Sequence, residues 1–192
     1  MSAVLMSMPR KMLAAALVSG CMAAFADQPA HAAQWYIAGS GCAVDQANVA
    51  ANNYQQFGVG VEFKPFSLGT IKVYCPVTVG AGRDASPASG TGLLQGSGYT
   101  LDLYHSDSNS SGGNVVADFF KMNLRTGVVT AVEGCERIDS SIGGGSAIGY
   151  NIMNKHCTHS FDPNGYLYFI RVSLTRNTSS AAVRFYGLSI YR

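Results

Sequence analysis

Charge is scarce in this chain. Only 12 % of its residues are Asp, Glu, Lys or Arg, about half the usual globular share. Beyond Arg10-Lys11 the basic residues stand singly, and eleven of them balance eleven acidic ones. Without a basic face to meet a phosphate backbone, no nucleic-acid partner is expected. Cysteines in C-x-x-C spacing are lacking, which argues against structural zinc. No serine stands in a G-x-S-x-G setting, so a nucleophile elbow is missing. Glu62, Glu133 and Glu136 are the only glutamates, and nothing singles out a carboxylate pair for glycoside hydrolysis. Met12 to Ala26 is the main apolar run, too short for a stable membrane span of ~20 residues. No internal repeat occurs. These absences leave no catalytic residue, no metal-ligand set and no cofactor motif to name.

What is present points to secretion. Arg10-Lys11 form a positive n-region, and Met12 to Ala26 form an apolar h-region. Ala24-Phe25-Ala26 and Ala30-His31-Ala32 are both A-x-A cleavage sites. Residues 1–32 therefore read as a signal peptide cut after Ala26 or Ala32, followed by a single domain over 33–192. The expected location is secreted or periplasmic. The alternative is a lipid anchor: Val18-Ser19-Gly20-Cys21 resembles a lipoprotein box with Cys21 as the modified residue. Removing Cys21 leaves Cys42, Cys75, Cys135 and Cys157, an even set suited to an oxidising compartment. Four cysteines allow three connectivities. Pairing of sequence neighbours, Cys42–Cys75 and Cys135–Cys157, is the one expected.

Glycine is plentiful at 22 residues, as many short strands joined by turns would require. Gly69 to Val77 alternates strictly, with Ile71, Val73, Cys75 and Val77 on one face and Thr70, Lys72 and Tyr74 on the other. The same period recurs in 57–63, 99–105 and 166–175, while 34–38 and 183–191 read as further strands and 115–124 with 128–133 as a hairpin turned at Arg125-Thr126-Gly127. Residues 148–153 form a further short candidate. Residues 43–54 hold apolar positions near helical spacing, broken by Asn52-Asn53, and predict a helical turn or a loop. Residues 80–98, 106–114 and 140–146 read as loops. Asp162-Pro-Asn-Gly165 is a turn, since Pro presets φ and Gly accepts φ > 0. Eight or nine strands predict an all-β, two-sheet antiparallel sandwich, jelly-roll or Ig-like. The last strand reaches the C-terminus and should pair within a sheet.

Two stretches carry a family likeness. Gly69-Thr-Ile-Lys-Val-Tyr-Cys-Pro-Val77, and Tyr168-Phe-Ile-Arg-Val-Ser-Leu-Thr-Arg176 followed by Phe185-Tyr-Gly187, resemble small secreted bacterial β-sandwich proteins with paired cysteines. The resemblance implies secretion, a sandwich and disulfides. It implies no activity and no catalytic residues.

Four groups of side chains invite a chemical reading. His156-Cys157-Thr158-His159 could bind copper or zinc, but spacing of three along a strand sends the two rings to opposite faces. His105 and Asp107 could orient each other as base and carboxylate, although His105 ends an apolar face and reads as a rim residue. Asp107-Ser-Asn109-Ser-Ser111 echoes an oxygen-rich calcium loop without its terminal glutamate. Asn109 and Asn177 begin N-glycosylation sequons. The tyrosines are more telling. Tyr74, Tyr104 and Tyr186 fall on predicted polar faces, where a large apolar ring with a polar tip can stack on a sugar or meet a protein. Those three are the expected binding residues. The resulting expectation is a non-catalytic extracellular β-sandwich that recognises a glycan or protein surface. The alternatives are a small secreted hydrolase with its site on the long loops, and a subunit of an extracellular assembly.

Overall fold

Alternation along the last third of the chain sets the architecture. In the strand Tyr166–Arg176, Tyr168, Ile170, Val172 and Leu174 are buried while Phe169, Arg171 and Ser173 face outward. Fully burying a side chain such as Ile170, Val172 or Leu174 contributes about 1.5–3 kcal/mol. The computed structural model describes residues 35–78, 98–107, 112–142 and 150–191, which fall within one compact unit, Ala32–Arg192. The expected leader with Cys21 and both cleavage points, nearly all of the 80–98 loop, Asn109 and residues 143–149 lie outside the described residues.

Twelve strands occur among the described residues, in chain order β1 Trp35–Ala38, β2 Ala43–Val44, β3 Tyr54–Phe57, β4 Gly60–Phe63, β5 Gly69–Val77, β6 Tyr99–Ser106, β7 Gly113–Asn123, β8 Val129–Ala131, β9 Ile138–Asp139, β10 Asn151–Cys157, β11 Tyr166–Arg176 and β12 Arg184–Tyr191. They form two antiparallel sheets. The first runs β10-β6-β12-β4-β3, with β1 also on β12; the second runs β2-β5-β11-β7-β8, with β9 also on β7. The chain changes sheet between β5, β6 and β7, and again between β10, β11 and β12. Inward residues of both sheets meet in one core, including Leu103, Phe185 and Ile190 from the first and Ile71, Val115 and Ile170 from the second. The protein is an all-β, two-sheet sandwich. The C-terminal strand β12 lies inside the first sheet, bonded to β6 on one edge and to β1 and β4 on the other.

The sulfurs pair as Cys42–Cys75 and Cys135–Cys157. Cys75 lies on the buried face of β5 and ties that strand to the segment entering β2. Cys157 closes β10 against Cys135, with which it also forms an isolated antiparallel bridge.

One sequence expectation needs correction, and the helical turn expected in 43–54 is present. Residues 57–63 are not one strand but a hairpin, β3 to β4, in which Phe57 pairs with Gly60. Gly58 takes φ +41°, a conformation that turns the chain where alternation alone would have continued it. Residues 43–54 hold a short helix, α1, Gln46–Ala51. The Asp45 side chain accepts from Ala47 N at 2.9 Å as its N-cap. Asn48 anchors the helix to β5, donating to Thr70 O at 2.7 Å and accepting from Lys72 N at 3.0 Å.

Candidate functional site

The outer face of the first sheet brings tyrosines together. On β6, Thr100, Asp102 and Tyr104 point away from the core that Leu101 and Leu103 enter. Register places Asp102 beside Ser189 of β12 and Asn154 of β10, and Tyr104 beside Gly187 and Ile152. β1 adds Tyr36 opposite Ser189.

A bulge in β12 shapes this face. Phe185 pairs with His105 and Gly187 with Tyr104, so Tyr186 is one residue too many. An inserted residue re-aims side chains without breaking the strand. Phe185 and Leu188 both stay in the core, and Tyr186 swings outward. Its ring lies 5.4 Å from Tyr150 and 5.7 Å, edge to face, from Phe57. Tyr150 in turn stacks on Tyr104 at 6.0 Å with planes 22° apart. Gly187 permits the close approach of β1, because a Cβ there would sit 2.5 Å from the carbonyl oxygen of Ile37.

These residues border a groove of about 460 Å³ whose lining includes Tyr36, Tyr104, Tyr150, Tyr186, Gly187 and Ser189. That volume lies in the range of small-molecule sites. Polar atoms sit at the floor. The Tyr104 hydroxyl is 3.0 Å from Ser189 Oγ. Beneath it lies Asp102, whose carboxylate accepts from Tyr104 at 3.4 Å, Ser189 at 3.4 Å and Tyr191 at 3.3 Å. Burial raises the Asp102 pKa above the ordinary carboxylate value, while the three donated hydrogen bonds act in the opposite sense. Burial likewise raises Tyr150 and Tyr191, so their phenols stay neutral donors at neutral pH. At one end the Arg184 guanidinium reaches Tyr186 and pairs with Glu62 at 2.5 Å.

Of the three tyrosines singled out in the sequence, Tyr104 and Tyr186 therefore share one groove. Tyr74 does not join them. It stands on β5 in the second sheet, donating to Asp45 Oδ2 at 3.2 Å and tilted against Phe169. Tyr150 and Tyr36 were missed. Tyr150 falls within the 148–153 candidate at the same phase as Ile148 and Ile152, so the sequence does not single it out as a tyrosine on a polar face, and Tyr36 lies in a four-residue strand too short to define its faces.

The other candidate chemistry disperses. His156 is exposed on β10. His159 packs edge to face on Phe161 at 5.4 Å, with Nε2 3.2 Å from the Tyr168 hydroxyl. Among the described residues no three His, Cys, Asp or Glu side chains converge as a metal site. His105 is a buried residue rather than a rim residue, because it stays on the inward face of β6 with Leu101 and Leu103, opposite the core residue Phe185. Its Nε2 lies 3.9 Å from Asp107 Oδ2, beyond hydrogen-bond distance. The possible acids are spread apart: Glu62 binds Arg184 and Gln55, and Glu136 pairs with Lys155 at 3.1 Å. Of the calcium-like string only Asp107 lies among the described residues. Asn177 sits in an exposed turn.

No family model and no curated protein sequence matches the chain. Solved structures with a similar course include the C-terminal carbohydrate-binding module of a marine laminarinase from Zobellia galactanivorans, at 8 % identity and TM-score 0.48, covering 83 % of this chain and 99 % of that one. A carbohydrate-binding module of a Cellvibrio mixtus lichenase, in complex with cellotriose, aligns at 10 % identity and TM-score 0.45, covering 82 % and 96 %. A module of a multidomain xylanase from the hindgut metagenome of Trinervitermes trinervoides aligns at 10 % identity and TM-score 0.44, covering 83 % and 97 %.

Proposed function

We propose that the tyrosine-lined groove of the first sheet binds a glycan and that the protein is a non-catalytic recognition module. One observation carries the reading: Tyr104, Tyr150 and Tyr186, far apart in sequence, are gathered in one cluster beside the bare backbone of Gly187, with hydroxyls at the floor. A pyranose ring presents an apolar C–H face and a rim of hydroxyls. An aromatic wall matches the first, and the hydroxyls of Tyr104 and Ser189 match the second. Paired cysteines support an extracellular or periplasmic site of action, with a lipid anchor at Cys21 as the alternative tether.

The test is a glycan array probed with the mature protein beside Tyr104→Ala and Tyr186→Ala. Binding to a glycan that both variants lose supports the reading. Failure of the wild type to bind any glycan refutes it.

A second reading, an assembly subunit, draws on a different face. Leu124, Val128, Val129 and Leu167 are each about half exposed around the β7–β8 edge of the second sheet, and an apolar sheet edge favours association. Light scattering of the mature protein at increasing concentration tests it: a monomer throughout removes this reading.

A further inference from the structure

This inference rests on the glycan reading of the groove and names the class of glycan. The lining residues are tyrosines, small or aliphatic residues and Ser189; none carries a formal charge. One carboxylate lies directly behind them. Asp102 is hydrogen-bonded to Tyr104 and Ser189, both of which line the groove, and to Tyr191 beside it. No cation in the described residues pairs with Asp102. Arg184 reaches the lining at Tyr186, where its charge is paired with Glu62, and Lys155 on β10 is paired with Glu136. The groove therefore turns hydroxyl lone pairs toward its ligand and has a single negative charge at its back, in a setting less screened than open water.

We infer that Asp102 is a specificity-determining residue that makes this groove take neutral glycans and reject anionic ones. A uronate or sulfated sugar placed against Tyr104 and Ser189 brings a second negative charge toward Asp102, with no lysine or arginine in the lining to offset it. A neutral sugar meets only hydroxyls. The carboxylate serves both sides of this choice. It orients the Tyr104 and Ser189 hydroxyls toward itself, so that their lone pairs remain for the hydroxyl donors of a neutral sugar. It also penalises a carboxylate or sulfate that can only accept.

The experiment uses the mature wild-type protein and Asp102→Asn at pH 7.5. The probes are cellohexaose, mannohexaose and galactohexaose, each beside its counterpart oxidised at C6 to the uronate. Calorimetry gives the ratio of Kd values, uronate to neutral, for each pair. The expected wild-type ratio is about tenfold or more, falling to about threefold or less in Asp102→Asn, as loss of one like-charge contact allows. A second measurement needs no variant: the wild-type ratio should shrink between 20 mM and 500 mM NaCl, because its source is charge. A neutral probe that binds while the ratio stays the same in the variant and across salt overturns the role of Asp102 and leaves the groove standing. A uronate that binds the wild type as tightly as its neutral partner does the same. If none of the six probes binds the wild type, this inference falls, and the glycan array alone decides whether the groove reading falls with it.

Discussion

The Tyr150 and Tyr186 rings lie 5.4 Å apart although β6 runs between the strands that carry or adjoin them. Two features close that distance. The bulge throws Tyr186 outward from β12, and Tyr150 leans in over Tyr104 from the start of β10. The wall is thus a property of the assembled sheet, and its parts should fail together.

Removing one ring should therefore remove more than its own contact. Truncating an aromatic anchor that the ligand covers costs about 2 kcal/mol or more, roughly 30-fold in Kd. Tyr186→Ala and Tyr150→Ala are each expected to weaken binding to an array-identified glycan by that factor. Tyr74→Ala, on the other sheet, should leave it unchanged. Isothermal calorimetry on the three variants checks this, and an effect of Tyr74→Ala as large as the others would move the site.

Gly187 couples β1 to the groove. Gly187→Ala places a Cβ against the Ile37 carbonyl, so β1 must shift and carry Tyr36 with it. Overpacking of this kind costs about 1–3 kcal/mol. The expected outcome is a lowered Tm together with lost glycan affinity. Retained affinity at a lowered Tm would mean that Tyr36 contributes nothing to binding.

The Cys42–Cys75 bridge spans 33 residues. Closing a loop of that size in the unfolded chain corresponds to about 3–4 kcal/mol of chain entropy. The double variant Cys42→Ala/Cys75→Ala should lose that amount in urea titration. A loss under 1 kcal/mol would mean that α1 and β2 stay docked through Asn48 and the β5 ladder alone.

Stability should depend on pH through two histidines. Burial lowers the pKa of His105 and of His159 below the ordinary value, against the pull of nearby acidic groups. The unfolded chain takes up those protons at about pH 6.5. Their contribution is thus complete above that pH and is lost as pH falls from there through the folded-state values. Thermal melts from pH 8 to pH 5 should show Tm dropping below about 6.5, less steeply in His105→Gln. A flat profile would contradict the burial of these rings.

The β architecture was largely legible in the residues. Strict alternation in 69–77 and 166–175 placed β5 and β11, because one face of each is fully buried and the other is not. At the end of β6 the pattern misleads: His105 looks like the frayed end of an apolar face, yet it stays on the inward face opposite Phe185 and is buried. The β3–β4 turn was hidden because Gly58 and Val59 keep the polar–apolar rhythm while reversing the chain. The helix 46–51 was half visible, its decisive signal being the Asp45 cap rather than its spacing. Half of the groove was readable. Tyr104 and Tyr186 stood out as aromatic residues on polar faces, and so did Tyr74. Only strand order, which no local pattern encodes, separates Tyr74 from the other two and supplies Tyr36 and Tyr150.

The most direct test of the central claim is amide chemical-shift mapping of the mature ¹⁵N-labelled protein titrated with a glycan identified on the array. The account predicts saturable shifts confined to residues 36–38, 102–104, 150–152 and 186–189. Shifts gathered instead around Tyr74, Phe120 and Phe169 on the second sheet, or absent altogether at saturating glycan, would contradict it.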